Sequence, residues 1–256
     1  MQVRTVATIL RTIPRAAYVL GATLGALSVL SWLVVANANM PMAATLDPSA
    51  LLLFTAIWGV GMVAMMFPSL IPMVYTVSVS TRKPPQAETF TIPYKTGVSA
   101  TSVLFVLAYV AIWTIVGAAF YLAISSLAFA GLPTSIVVFA LWAGPLMILV
   151  GLYQFTRFKQ DALMKCRSPM TFLLTRWRSG RTGAALMGAD YGLFCTRCCW
   201  ALMAGLLTVG AMSLPLMGIF SIIVFTEKIV PFGAIISKFV GAGFLVAGLF
   251  LLTIIL

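Results

Sequence analysis

Seven apolar runs limit what this chain can fold into. They lie at about 16–36, 51–79, 98–124, 134–155, 191–211, 213–227 and 235–256. A helix of roughly 20 apolar residues crosses a bilayer core about 30 Å thick. Six of the runs reach that length, and 213–227 is short. Lipid offers no partner to an unpaired backbone N–H or C=O, so such runs become helices. The composition is 62% hydrophobic and 8% charged, which excludes a soluble domain of this length. The fold class is all-α: a polytopic transmembrane helical bundle of six or seven spans, forming a single integral membrane domain over residues 1–256.

Charge placement gives an orientation. With the N-terminus in the cytoplasm, the inner segments carry fifteen of the sixteen Lys and Arg residues, seven of them between Arg157 and Arg181. Asp47 is the one charge left outside, and Arg197 falls within a span. This positive-inside pattern predicts N-in and C-out in the plasma membrane, crossed several times. The net charge of +11 then points to anionic lipids at the cytoplasmic leaflet and not to nucleic acid. Arg4, Arg11 and Arg15 flank the first span without a convincing small-residue cleavage site, so we read no cleavable signal.

The second span carries Met62, Met65 and Met66, then Pro68 and Pro72, which should kink or break it. The loop at 80–97, with Pro84-Pro85, reads as a surface connection. The cytoplasmic basic loop spans 156–190. In it, Ser168-Pro169 reads as an N-cap with proline at the first helical position. Met170, Phe172, Leu173, Leu174 and Trp177 then alternate with Arg176 and Arg178, which suggests a short amphipathic helix on the inner leaflet. Gly241 and Gly248, seven apart in the last span, suit close helix approach.

The chain has no histidine and four cysteines. Cys195, Cys198 and Cys199 stand at i, i+3 and i+4, so a helix gathers their sulfurs on one face, with Met203 in the same sector. Thiolate and thioether are soft ligands that suit copper as Cu(I), and thiolates also suit zinc. Cys166, on the same side of the membrane, is the candidate fourth ligand. The alternative is that these cysteines are small apolar packing residues. Met40 and Met42, with the stripe Met62, Met65 and Met66, read either as a path for Cu(I) or as core filling. Asp190 and Arg197, seven apart, form a candidate structural charge pair; Arg197 could instead snorkel to headgroups, or favour a thiolate at Cys198. Glu227 and Lys228 read as interfacial charges, paired with the basic loop. Serine–histidine and cysteine–histidine catalytic pairs are ruled out by composition, and no phosphate-binding glycine loop is present. No catalytic site and no enzyme activity are therefore expected.

Several of these residues fall into one pattern. Val63-Ala-Met-Met-Phe-Pro68 with Pro72-Met73, Tyr109 and Trp113, Tyr153-Gln154 with Lys159, Cys166-Arg167-Ser168-Pro169, Gly192, Cys195 and Cys198-Cys199-Trp200-Ala-Leu-Met203, Gly210 with Met212, and Glu227-Lys228 resemble domain of unknown function 2182. That family is described as predicted metal-binding integral membrane proteins. The resemblance runs from the second span to about Lys228. It implies metal binding, with four departures: Ala162 stands where the family has a further cysteine, Tyr191 where a histidine is common, Arg197 where glycine is usual and Ser213 where asparagine is common.

Three functions are weighed. The first is a non-catalytic accessory or structural subunit that packs against other integral membrane subunits, in an assembly such as a copper membrane monooxygenase. The second is a metal-handling membrane protein that holds Cu(I) or Zn(II) through Cys166, Cys195, Cys198 and Cys199. The third is thiol redox at the membrane.

Overall fold

The computed structural model of the protein describes residues 15–38, 47–80, 99–129, 136–210 and 213–255. Met40 and Met42, the basic residues Arg4, Arg11, Arg82, Lys83 and Lys95, the Pro84-Pro85 loop and Met212 lie outside them. Nine helices occupy the described residues: α1 (Arg15–Asn37), α2 (Pro48–Ser80), α3 (Ala100–Phe129), α4 (Ile136–Phe155), α5 (Arg157–Arg167), α6 (Pro169–Arg176), α7 (Gly180–Gly210), α8 (Leu214–Ile229) and α9 (Gly233–Ile255). Four of them, α1, α2, α3 and α9, are long and apolar enough to cross a membrane. Their outward faces carry lipid-compatible side chains such as Leu30, Leu52, Ile115 and Phe239. The protein is a helical membrane protein.

Helix order follows the apolar runs, with two differences. α2 runs unbroken through Pro68 and Pro72. Ser69 Oγ bonds back to the Met66 carbonyl at 2.8 Å, and Thr76 Oγ1 to the Pro72 carbonyl at 2.7 Å. Pro68 leaves the Ala64 carbonyl without its ladder donor, and Ser28 Oγ of α1 donates to it at 2.7 Å. The basic loop, for its part, is mostly helix. Thr156 ends α4 and caps α5, its hydroxyl accepting from the Lys159 N–H at 3.3 Å. α6 begins at Pro169, as the sequence predicts, but Ser168 makes no side-chain capping bond to it, its hydroxyl lying 2.7 Å from Thr171 Oγ1 instead. Its apolar residues divide: Phe172 and Leu173 pack into the protein core, whereas Met170 and Leu174 face outward.

Three close pairings build the bundle: α4 with α9, α3 with α7, and α1 with α2. The α4–α9 seam is made by glycine. A Cβ at Gly248 would stand 2.8 Å from the Gly144 carbonyl oxygen, and one at Gly151 would stand 2.8 Å from the Gly241 oxygen. The Gly241–Gly248 face is thus occupied within the chain by the matching Gly144–Gly151 face. The α3–α7 seam depends on Gly188, where a Cβ would lie 2.2 Å from the Phe105 carbonyl oxygen. Backbone cannot yield as a side-chain tip can. Gly188→Ala is therefore expected to destabilise the protein by roughly 1–3 kcal/mol through overpacking. Gly218→Ala, with nothing within 4 Å of the added methyl, should be neutral or mildly stabilising. Thermal melting of both variants in mild detergent checks this contrast.

Candidate metal centre

α7 is a helix of 31 residues, about 46 Å long at 1.5 Å per residue. Its middle carries the cysteines. Cys195, Cys198 and Cys199 are each at most 1% exposed, and their sulfurs all lie within 4.8 Å of one another. Cys198 Sγ is 3.2 Å from Cys199 Sγ and 3.7 Å from Cys166 Sγ, which α5 brings up from the side. All four are free thiols. Met203 is fully buried one turn further along the same face. A metal–sulfur bond of about 2.3 Å places sulfurs about 4.0 Å apart in a trigonal site and about 4.6 Å apart in a linear one. The three α7 thiols lie within reach of one such centre, with Cys198 and Cys199 parting from their 3.2 Å separation to reach that spacing.

The residues around the sulfurs come from four other helices. Tyr109 of α3 places its hydroxyl 3.1 Å from Cys195 Sγ. Tyr191 Oη donates to the Cys166 carbonyl at 3.0 Å, tying α5 to α7. Phe172 of α6 packs edge-on against Tyr191 and Phe194. Lys228 of α8 donates from Nζ to Cys195 Sγ at 2.9 Å, and Met66 Sδ and Ser69 Oγ of α2 each lie 3.5 Å from the same nitrogen. Cys166 lies in the basic segment. Its thiol is held well above the ordinary thiol range, first by hydrogen bonding with Cys195 and then by burial.

Three expectations change here. Glu227 and Lys228 are not surface charges: they are 1% and 6% exposed. Glu227 does pair with the basic segment, through Lys159 at 2.9 Å, but both partners are inside the protein. Gln154 Oε1 also accepts from Lys159 Nζ. The apolar segment that precedes both charges folds them into the protein interior. Asp190 does not pair with Arg197. It faces Arg176 and Arg178, at 3.8 and 3.7 Å. Two helical turns separate residues seven apart by about 10.5 Å along the axis, whereas the end of α6 brings its arginines directly to Asp190. Arg197 is exposed on the far side of α7, over the Phe158 ring at 5.3 Å. The cation at the thiols is Lys228. Arg167 has a structural task, donating to the Val230 and Pro231 carbonyls at 2.6 and 2.8 Å where α8 ends.

The family profile of the PpoB2 copper chaperones matches residues 55–251. The chain belongs to this family. The match covers every helix that contributes to the sulfur cluster and extends past Lys228 through most of α9, further than the motifs alone reach. No curated protein and no solved structure matches the chain. Membership of the PpoB2 family gives the protein a copper-related role and agrees with the expectation of a metal-binding membrane protein. The cluster is chemically apt for that role: three buried thiols form a group without histidine or carboxylate, a soft donor set.

Sequence reasoning missed Lys228 as a neighbour of the thiols, and Met66 as a neighbour of Lys228. Their signal was present but weak. A lysine at the end of an apolar run usually snorkels, and a methionine stripe usually fills space. Only the packing of α2 against α8, and of α8 against α7, distinguishes those cases from this one.

Proposed function

We propose that the protein is a membrane copper chaperone that takes up one Cu(I) ion at Cys195, Cys198 and Cys199 and releases it to a membrane-bound copper protein. The observation that carries this is the convergence of three fully buried thiols within 4.8 Å, beside a buried ammonium. Cu(I) accepts two or three sulfurs in a linear or trigonal site, whereas a structural zinc site takes four ligands in a tetrahedron. Cys166, 3.7 Å from Cys198 Sγ, is the entering or leaving ligand. Charge supports copper as well. Two thiolates around Cu(I) leave one negative charge, and Lys228 offsets it in a place where unbalanced charge is costly.

In this reading the protein is not an enzyme and serves as accessory to a copper enzyme such as a membrane monooxygenase. It lies in the plasma membrane N-in and C-out, with α4, α7 and α8 adding to the spans. The exposed Arg157, Lys165, Arg176, Arg178 and Arg181 then meet anionic headgroups. Burial of all four thiols favours metal handling over thiol redox, which uses accessible thiolates.

Purification in detergent without oxygen, followed by loading with Cu(I) and Zn(II) in competition, tests the proposal. About one copper per chain, not displaced by equimolar zinc, is expected. Zinc held in preference, or less than a tenth of an equivalent of either metal, would overturn it.

A further inference from the structure

We propose that the place now held by the Lys228 ammonium is a second seat for Cu(I), with Met66 as its thioether ligand, through which copper enters or leaves the cysteine cluster. This rests on the copper reading above and names a transfer position that the cysteines do not include.

The seat is defined by three helices. Lys228 Nζ lies 2.9 Å from Cys195 Sγ, 3.5 Å from Met66 Sδ and 3.5 Å from Ser69 Oγ. An ammonium has three donors and ordinarily finds oxygen acceptors. Here two of its three neighbours are sulfur, and the thioether is a weak acceptor. The same two sulfurs are good ligands for a soft monovalent metal. The position is thus a built monovalent-cation site whose donors suit copper better than they suit lysine.

When Cu(I) moves from the cluster into this place the ammonium's charge leaves the interior, and the thiolate that gives up the copper takes a proton, so the buried charge stays balanced. A divalent ion at the same place would add a charge, which the interior resists. Copper remains Cu(I) throughout, no electron moves, and one cation replaces another. Cys195 is common to both sites, so the ion can pass from the cysteine cluster to Met66 by ligand exchange without being set free. Lys228 is able to leave. It lies near the end of α8, beside the turn at 230–232, and a lysine stem can carry its head toward the surface. Met62 and Met73, one turn before and two turns after Met66 on α2, are buried as well and share its face.

Selenium labelling tests this directly. The chain has 14 methionines. Selenomethionine-substituted protein is loaded anaerobically with Cu(I) as its acetonitrile complex, and copper-edge X-ray absorption is recorded. The expected result is a copper–selenium shell beside the copper–sulfur shell, lost in Met66→Leu but kept in Met62→Leu and Met203→Leu. Leucine nearly conserves methionine volume, so folding should survive. Bound copper with sulfur neighbours and no selenium overturns the Met66 seat while leaving the cysteine site standing. A selenium shell that persists in Met66→Leu also overturns it. The labelled wild-type protein alone can give the first contrary result. Absence of any bound copper overturns both proposals.

Discussion

Replacing Cys198 by serine should abolish stoichiometric copper binding. Cys198 is central to the cluster, 3.2 Å from Cys199 Sγ and 3.7 Å from Cys166 Sγ. A serine hydroxyl keeps the shape but is a hard donor, poorly matched to Cu(I). Changes in the groups that merely support metal ligands typically weaken affinity by about 10–100-fold. Loss of a ligand itself should exceed that range. Competition against a water-soluble Cu(I) chelator should show the change, while the elution profile of the detergent-solubilised protein stays as in wild type. The sulfur best placed to compensate is Cys166, and the bond from Tyr191 to its backbone carbonyl restrains it. Retention of wild-type affinity in Cys198→Ser would mean that the cluster is packing and not a metal site.

The second large effect concerns stability. Glu227→Ala should destabilise the protein by about 3–5 kcal/mol, because it leaves the Lys159 ammonium buried without its counter-charge. Lys159 and Glu227 are 0% and 1% exposed and 2.9 Å apart. Water cannot re-solvate the lysine where it stands. Removing both charges together is a different change. Lys159→Met combined with Glu227→Met restores an apolar interior of similar volume, and such replacements are often neutral or stabilising. Gln154 keeps a partner in that variant, since Ser237 Oγ donates to its Oε1 at 3.2 Å. The expectation is a poorly accumulating, low-melting single variant and a double variant close to wild type. A single variant that melts like wild type would show that the pair is solvated.

Much of the fold was legible in the sequence, because lipid leaves the backbone few options. Length and apolarity alone place α1, α2, α3 and α9. The cysteine face was legible too, since i, i+3 and i+4 spacing on a helix has one geometric outcome. What was not legible depended on packing between helices. Asp190 was closer to the arginines of a folded-back segment than to Arg197 on its own helix. Lys159, one of seven basic residues in a loop expected to face lipid headgroups, turned inward to Glu227. Gly241 and Gly248 of α9 met Gly151 and Gly144 of α4 within the same chain. Each case is a choice among several chemically sensible partners, and sequence spacing does not rank partners that tertiary structure brings together.

The central claim is that Cys195, Cys198 and Cys199 form a low-coordinate Cu(I) site. Copper-edge X-ray absorption of the unlabelled, Cu(I)-loaded protein tests it most directly. The account predicts a first shell of two or three sulfurs with no nitrogen or oxygen neighbour. A shell of nitrogen or oxygen, or a copper–sulfur shell that is unchanged when all three cysteines are replaced by serine, would contradict it.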